Sequence, residues 1–338
     1  MVESIWLWVG FLIFVFIMLA IDLGVFHRKA HAVGMREAAI WSVVWIGLSL
    51  LFNLGIYFFW HDMVPLSEYS NSEAATAFLT AYIIEKSLSV DNIFVFVMVF
   101  TYFAVPPSFQ HRVLFWGVLG ALVMRGVLIL AGTALIREFE WVLYIFGAFL
   151  IYTGVRMARM DDAEVQPDKN PVVRWVRRWI PVTDTYEGQS FFVRHAGKLM
   201  ATPLFLVLIV VETTDLVFAL DSIPAIFAVT QDPFIVFTSN VFAILGLRAL
   251  YFLLAGMVDK FRYLKLGLSV VLIYVGVKMV IADFFHIPTA WSLAIVAGVI
   301  TTSVVASLIV SSREAAAAGR EGGHESLPEP ISEAEPAD

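Results

Sequence analysis

The chain contains no cysteine, and charged residues make up only 15% of its 338 residues. Without a thiol there is no disulfide, no thiol redox couple and no thiolate metal site. The seven histidines fall in predicted loops, helix ends or the C-terminal tail: His27, His31, His61, His111, His195, His286 and His324. Their placement argues against haem ligation, or a histidine zinc site, inside the apolar segments.

What the chain has in excess is apolar sequence. Hydrophobic residues account for 60% of it, and the mean hydropathy is +0.83. Runs of about 20 apolar residues, the length that crosses a bilayer, recur along the chain. They predict an all-α polytopic membrane protein with about nine transmembrane helices, at residues 4–26, 36–60, 74–101, 111–135, 139–158, 199–229, 235–256, 263–284 and 289–311.

Basic residues are distributed unevenly over the predicted connections. If the N terminus lies outside, 17 of the 22 lysines and arginines are cytoplasmic, Arg137 alone is external, and four lie within spans: Lys86, Arg125, Arg248 and Lys278. The positive-inside rule therefore predicts an external N terminus and a cytoplasmic C terminus. We expect a multi-pass protein of the bacterial inner membrane.

Three regions follow from this pattern. Residues 1–311 are predicted to form a transmembrane transporter domain, 159–198 a basic cytoplasmic loop within it, and 312–338 a disordered acidic cytoplasmic tail. In the loop, segment 173–179 places tryptophans four residues apart beside arginines, as in an interfacial helix on anionic lipid. A solvated basic loop that only fixes topology explains the same segment equally well.

Two similar charged blocks lie in apolar segments, where charges are scarce. In each block two carboxylates stand six residues apart, and an amide or hydroxyl residue follows the second one. The residues are Glu85, Asp91 and Asn92 in the first block, and Asp215, Asp221 and Ser222 in the second, with Glu212 one turn ahead. Buried carboxylates in lipid usually mark an ion pathway.

The similarity continues beyond the two blocks. Each is followed by a mid-span arginine, Arg125 or Arg248, and then by matching sequences at 150–157 and 272–279. Spans 3–5 (74–158) and spans 6–8 (199–284) are therefore predicted to be one three-helix unit used twice. Because three is odd, the second copy is inverted, and inverted repeats place a substrate site near the bilayer midplane.

Helical geometry relates the charged side chains within each block. Glu85 and Asn92 differ by about 20° around a helix, so they share one stripe. Asp91 and Asp221 lie about 120° from the stripes of their own blocks. If all of these oxygens converge, we expect both helices to unwind near the second aspartate, with Pro224 as a cause in the second block.

The charges have two interpretations, a cation pathway or ion pairs that only fix helix packing. Each central charge costs about 2.5–3.5 kcal/mol on insertion scales, and buried ion pairs stabilise proteins poorly. This cost favours function. The predicted metal ligands are Glu85, Asp91, Asn92, Glu212, Asp215 and Asp221, supported by Lys86, Ser222, Arg125 and Arg248.

The sequence resembles the TerC family of integral membrane proteins, and most closely its Alx-type members. Residues 1–311 carry the resemblance, in the motifs at 20–23, 50–53, 85–92, 221–230 and 239–248. It implies a membrane metal-ion transporter related to LysE-like exporters, with manganese export as the activity of Alx-type members. It also implies that the family's intramembrane acids are Glu85, Asp91, Glu212, Asp215 and Asp221.

The expected function is therefore Mn²⁺ efflux by alternating access, with Mn²⁺ as substrate, no permanently bound cofactor and a proton as a further coupling ion. Two alternatives stay open: an exporter of a small organic cation, and a non-transporting redox or stress modulator of the tellurite-resistance type. An enzyme is not expected, because the chain shows no nucleophile–base pair and no Gly-rich phosphate loop. We expect no nucleic-acid partner, and the oligomeric state is left open.

Overall fold

A computed structural model describes residues 5–24, 34–65, 67–159, 171–195, 197–255, 263–285 and 287–322. It contains eleven helices and one two-stranded sheet in these ranges. The helices are α1 (Ile5–Gly24), α2 (Met35–Met63), α3 (Asn71–Tyr102), α4 (Pro107–Glu138), α5 (Val142–Arg159), α6 (Pro171–Trp179), α7 (Pro203–Phe227), α8 (Pro233–Leu245), α9 (Leu247–Leu254), α10 (Leu264–Val280) and α11 (Thr289–Gly322).

The all-α polytopic prediction is confirmed. Helices occupy all nine predicted spans, the seventh as the pair α8 and α9. Six segments are long and apolar enough to cross a membrane: Met35–Met63, Pro107–Glu138, Val142–Arg159, Pro203–Phe227, Pro233–Leu254 and Thr289–Ser312. Helix α3 has 32 residues but carries Glu85, Lys86 and Asp91 within its apolar sequence.

Most predicted boundaries lie within about four residues of the helix ends, and two of the differences change an element. Residues 199–201 do not begin the sixth span, because they belong to strand β2 (Lys198–Ala201), which pairs with β1 (Phe192–His195). Helix α11 continues to Gly322, beyond the predicted span end at 311. Residues 323–338 of the predicted acidic tail lie outside the described residues.

Local chemistry fixes the start of helices α3 and α8. Ser70 and Glu73 form a reciprocal capping box at the N terminus of α3, where each side chain accepts from the other residue's backbone N–H. The Ser70 N–H lowers the pKa of the Glu73 carboxyl. Asp232 caps α8 by accepting from the N–H groups of Phe234 and Ile235, and Pro233 occupies the first helical position.

The centre of the bundle is formed by α3, α4, α7 and α8. Helix α3 contacts α7 and α8, and α4 contacts the same two helices. Helix α2 packs on α3 and α9, whereas α11 packs on α3 and α10. Aromatic rings from α1, α2, α3 and α8 interlock at one side, among them Phe11, Phe52, Phe78 and Phe242.

Helices α5 and α10 approach each other closely through glycines. A Cβ atom on Gly276 would lie 2.7 Å from the Gly147 carbonyl oxygen, and one on Gly154 would lie 2.8 Å from the Ser269 carbonyl oxygen. Such distances leave no room for a side chain at either glycine. Small residues of this kind allow helix backbones to pack tightly in lipid, where no hydrophobic drive joins them.

The segment between α6 and α7 is fastened to the α3–α4 connection. The Tyr186 hydroxyl donates to the Phe103 carbonyl oxygen at 2.6 Å, and Gln189 Nε2 donates to the Ser108 carbonyl oxygen at 3.0 Å. Burial raises the pKa of Tyr186, so its phenol stays protonated as the donor. The Arg112 guanidinium lies over the Phe191 ring. The predicted basic loop therefore has its own structure in the described part, 171–195 and 197–198.

Candidate functional site

Arg125, in α4, lies at the centre of the polar interior and is 2% exposed. It is hydrogen-bonded to Glu85 of α3, and its Nε and Nη2 donate to both oxygens of Asp215 in α7 at 3.1 and 2.9 Å. Its Nη1 also lies 3.3 Å from Ser222 Oγ and 3.5 Å from Asn240 Oδ1. One guanidinium thus links equivalent carboxylates of the two blocks.

A cavity lies beside this arginine, between α3, α4, α5, α7 and α10. The predicted acids Glu85, Asp91 and Asp221 line it. Four further polar residues line it with them: Ser89, Asn92, Arg125 and Ser222. Leu88, Met157, Phe218 and Leu272 complete the wall. The space of about 20 Å³ accommodates one small ion or water molecule, which needs roughly 10–15 Å³.

Several buried oxygens of the cavity wall have no hydrogen-bond partner. They are Oε2 of Glu85, Oγ of Ser89 and Oδ1 of Asn92. Buried polar atoms are almost always paired, and each exception requires an explanation such as an ion or ordered water. These oxygens are chemically suited to a hard cation.

The predicted unwinding of both helices is wrong. Helix α3 is continuous through Asp91 and Asn92, and α7 is continuous through Asp221 and Pro224 to Phe227. Asp91 and Asp221 nevertheless line the cavity, to which five helices contribute residues. Thr153 of α5 donates to Asp221 at 3.2 Å, which orients that carboxylate.

Glu212 and Asp215 are separated from the cavity that contains Asp91 and Asp221. The Glu212 carboxylate lies against Gly120 of α4, where a Cβ atom would come within 2.0 Å of its Oε1. Its Oε2 is buried without a hydrogen-bond partner. Asp215 is held by Arg125, and Asn92 Nδ2 lies 3.4 Å from it. The six predicted ligands are therefore not one coordination shell.

Lys86 points away from its neighbour Glu85. Its ammonium donates to the Ala243 carbonyl oxygen of α8 at 3.2 Å, and a Cβ atom on Gly246 would lie 2.6 Å from it. Helix α8 ends there, and the Gly246 N–H bonds to Ile244, two residues back. Lys86 therefore supplies a donor at an interrupted helix instead of occupying the cavity.

Arg248 is placed differently from Arg125. It lies in α9, and its Nη1 contacts His111 Nε2 of α4 at 3.0 Å. Arg248 and Asp215 line a second, mostly apolar cavity with Phe96, Leu114, Val211 and Ile244. The two arginines, which occupy matching positions in the sequence, thus have different partners.

No group of three or more His, Asp or Glu side chains within the described ranges forms a ready-made metal site. Arg125 accounts for this arrangement at the centre, because it occupies the space between the Glu85 and Asp215 carboxylates.

Sequence reasoning assigned no role to Thr153, Asn240 and His111, which contact Asp221, Arg125 and Arg248. Thr153 has one signal in the sequence: it stands where the matching segment 272–279 has Val275. Nothing in the sequence pairs His111 with Arg248, since 137 residues separate them.

Comparison with known proteins identifies the family of the chain. The family model described as "Integral membrane protein TerC family" matches residues 70–315. The chain belongs to the TerC family. A membrane protein from Myxococcus xanthus is 53% identical to this TerC protein over 305 residues, 90% of this chain and 92% of the relative.

Two further relatives carry the same description, a proposed membrane-bound redox modulator named Alx. The one from Salmonella typhi is 56% identical over 300 residues, 88% of this TerC chain and 92% of the relative. The one from Escherichia coli K12 is 54% identical over 308 residues, 91% and 95% of the two chains. No solved structure matches the chain. This TerC protein is therefore a multi-pass membrane protein.

Proposed function

We propose that this TerC protein transports a divalent cation, Mn²⁺ in the first place, out of the cell by alternating access. The observation that carries the proposal is the cavity between α3, α4, α5, α7 and α10, where three acidic side chains meet buried oxygens that have no partner. Three carboxylates and one guanidinium line it, so its wall carries two negative charges when all are ionised.

The donor set favours a hard or borderline divalent ion. Carboxylate, amide and hydroxyl oxygens are the ligands that Mn²⁺, Mg²⁺ and Ca²⁺ use in proteins. Asp91, Asp221 and Glu85 supply charge, and Asn92, Ser89 and Ser222 supply neutral oxygens. The cation is the cargo. Asp215 and Glu212 do not line this cavity. Asp215 contributes by holding Arg125 in place.

An inverted repeat explains how such a cavity would open alternately to either side. If α3, α4 and α5 match α7, the α8–α9 pair and α10, the contact of α3 with α8 is equivalent to that of α4 with α7, and both occur. The glycine contacts agree, since Gly276 meets Ile151 and Gly154 meets Ile273, at matched positions. Rocking of one repeat against the other would then expose the midplane cavity.

The direct test is Mn²⁺ flux into proteoliposomes that contain a Mn²⁺-sensitive dye. We expect Asp91→Asn and Asp221→Asn each to lower the initial rate at least about ten-fold, because even the loss of a group that only supports a metal ligand weakens a metal site by about 10–100-fold. Glu138→Gln is the matched control, since Glu138 is exposed at the end of α4. Wild-type rates in both aspartate variants would contradict the proposal. A pH-sensitive dye in the same vesicles tests proton coupling.

The alternatives differ in the same assay. An organic-cation exporter would carry its substrate without competition from Mn²⁺. The redox role named for the Alx relatives would, in this chain, have to operate without a thiol, because it has no cysteine. A variant with alanine at all five intramembrane acids that left cellular manganese unchanged would favour a non-transporting role. We propose no enzymatic activity and no resident cofactor.

Topology and location complete the proposal. The distribution of basic residues supports an orientation with the N terminus outside and the C terminus in the cytoplasm, in an inner membrane. In that orientation Mn²⁺ would be bound from the cytoplasm and released outside.

A further inference from the structure

Thr153 of α5 bonds to a different kind of partner from several other helical threonines. Four threonines in other helices donate to the carbonyl oxygen four residues back in their own helix: Thr133, Thr213, Thr214 and Thr238. This is a common bond for a threonine inside a helix. The Thr153 hydroxyl instead donates to Asp221 Oδ1 of α7 at 3.2 Å. A hydroxyl has one proton to donate, so the bond to Asp221 replaces the local one.

The direction of Thr153 is fixed by the residue that follows it. Gly154 packs on α10, where a Cβ atom would lie 2.8 Å from the Ser269 carbonyl oxygen and 3.1 Å from the Ile273 backbone nitrogen. Because the obstacle is backbone, α5 has little room to rotate about its axis at this level. Helix packing therefore holds the Thr153 hydroxyl toward Asp221.

The other predicted repeat has no hydroxyl at the matched position, where Val275 stands. Valine has the shape of threonine but no oxygen to donate from, and Val275 is buried in the apolar core beside α11 and α3. A valine at position 153 would serve packing in the same way. The hydroxyl of Thr153 therefore points to a task at Asp221, one of the acids that line the proposed cation cavity.

A hydrogen bond to one oxygen of Asp221 affects which ion that carboxylate favours. Ca²⁺ takes about six to eight oxygen ligands and binds carboxylates through one or both oxygens. Mg²⁺ is smaller and demands near-octahedral geometry, and octahedral oxygen sites also suit Mn²⁺. The Thr153 hydroxyl competes with a metal ion for Oδ1 and leaves Oδ2 without this competition. The space of about 20 Å³ beside it is likewise small for a high coordination number.

We propose that Thr153 is a positioning residue that makes the cavity discriminate against Ca²⁺. It does so by holding Asp221 in an arrangement that offers one oxygen, which suits Mn²⁺ and Mg²⁺. Asp221 contacts the ion, and Thr153 acts through Asp221. The inference rests on the proposed transport of a divalent cation, and it names which divalent ions the site accepts.

A second residue of α5 acts on the same carboxylate through its charge. Arg156, one turn beyond Thr153, interacts electrostatically with Asp221 and is exposed to solvent. A positive charge near the cavity repels Mn²⁺ and Ca²⁺ alike, because both carry two positive charges. Arg156 therefore offers a control in which the electrostatic field at Asp221 changes while the hydrogen bond from Thr153 remains.

The test compares Mn²⁺ and Ca²⁺ binding to the full chain in detergent, so it does not require transport. Bound Mn²⁺ is measured from the loss of the free-ion signal in electron paramagnetic resonance, and Ca²⁺ is titrated against it. Thr153→Val should lower the preference for Mn²⁺ over Ca²⁺ by about ten-fold, the lower end of the effect of losing a group that supports a metal ligand. Thr153→Ser keeps the hydroxyl and should keep the wild-type ratio.

Arg156→Gln is the control, and it should change the two dissociation constants by the same factor and leave their ratio unchanged. Thr153→Ala also removes the hydroxyl, and it replaces Thr153→Val in the test if the valine variant does not fold. A wild-type ratio in a folded variant that lacks the hydroxyl would overturn the proposal. So would an equal fall of the ratio in Thr153→Ser, because that variant retains the donor.

Binding and flux together separate this inference from the proposed function. Wild-type protein that neither binds nor transports Mn²⁺ would remove both proposals. Mn²⁺ binding and flux in the wild type, with a ratio that does not respond to Thr153, would leave the transporter standing and overturn the role of Thr153. A ratio that falls in Thr153→Val, in a protein without Mn²⁺ flux, would support the selective site and remove the transport.

Discussion

At the scale of single residues, Arg125 shows why these charges are expensive. Its guanidinium and both of its carboxylate partners, Glu85 and Asp215, are almost completely buried. The desolvation of buried ion pairs often exceeds their mutual attraction, so apolar or neutral side chains of similar size stabilise a protein as well or better. Poor stabilisation by such a cluster is consistent with the proposed role in moving an ion.

The same reasoning predicts the stability of variants at this cluster. Arg125→Met alone should lower the free energy of unfolding by about 3–5 kcal/mol, because it leaves two buried carboxylates without their cation. Arg125→Met combined with Glu85→Gln and Asp215→Asn should recover most of that loss. Unfolding in mixed micelles, followed by circular dichroism, measures both. A triple variant no more stable than the single one would show that the ion pairs themselves hold the bundle.

At the scale of helices, the contact between α5 and α10 depends on glycines, which have no side chain. Gly276 and Gly147 face each other so closely that each would place a Cβ atom within 2.9 Å of the other's carbonyl oxygen. The backbone is the obstacle, and a backbone does not move aside as a flexible side chain does. This contact fixes how the last helix of one predicted repeat meets the last helix of the other.

We therefore expect Gly276→Ala to destabilise the protein by about 1–3 kcal/mol, the usual cost of overpacking. Gly55→Ala in α2 is the matched control, because a Cβ atom there meets nothing within 4 Å. It should be neutral or stabilising by about 0.5–1 kcal/mol, since alanine is the better helix former. Thermal unfolding of the two variants in one detergent compares them, and equal behaviour would show that α5 and α10 can separate.

Helix α6 has two faces with different tasks. Val173 and Val176 are buried against the N-terminal part of α7 and its neighbours. Trp175 and Trp179 are 64% and 70% exposed, on the same short helix as three arginines. An anchored helix with tryptophan and arginine on its outer surface is typical of contact with the headgroup layer.

Anionic lipid should therefore stabilise the protein through α6. We expect replacement of Arg174, Arg177 and Arg178 by glutamine to weaken the attraction to phosphatidylglycerol by about 1 kcal/mol for each arginine near the surface. The gain in melting temperature on adding this lipid should therefore be smaller in the triple variant. Arg137→Gln, at the other end of α4, is the control. An unchanged response to the lipid in the triple variant would mean that the loop only fixes topology.

At the scale of the whole molecule, the orientation decides which side supplies the cargo. The uneven distribution of lysine and arginine predicts the orientation, and the segment from α6 to β2 gathers many of these residues into one structured part of the chain. That segment is fastened to the α3–α4 connection by Tyr186 and Gln189. In the proposed topology the N-terminal end of α4 lies on the cytoplasmic side of the bilayer with this segment, and the C-terminal end lies on the outer side.

Cysteine labelling in intact cells tests this arrangement. Arg137→Cys should react with a membrane-impermeant maleimide from outside, whereas Arg178→Cys should react only after the membrane is permeabilised. Both side chains are exposed, so access to the reagent depends on the side of the membrane. The reverse pattern would invert the proposed direction of transport.

The sequence by itself determined the helices and the candidate residues. Apolar runs of bilayer length leave little alternative to helices, because backbone groups in lipid must be paired within the segment. The duplicated block singled out Glu85, Asp91, Asp215 and Asp221 for the reason that charges are costly at that depth. Helical phase also placed Asn92 on the stripe of Glu85.

Only the tertiary structure decided which groups meet. In it Asp215 accepts from Arg125, and Arg248 contacts His111. Lys86 donates to the Ala243 carbonyl oxygen, and the Glu212 carboxylate lies against Gly120. It also kept α3 and α7 unbroken and put the interruption at Gly246. Spacing along one helix gives the direction of a side chain, but the partner in that direction depends on how distant helices pack.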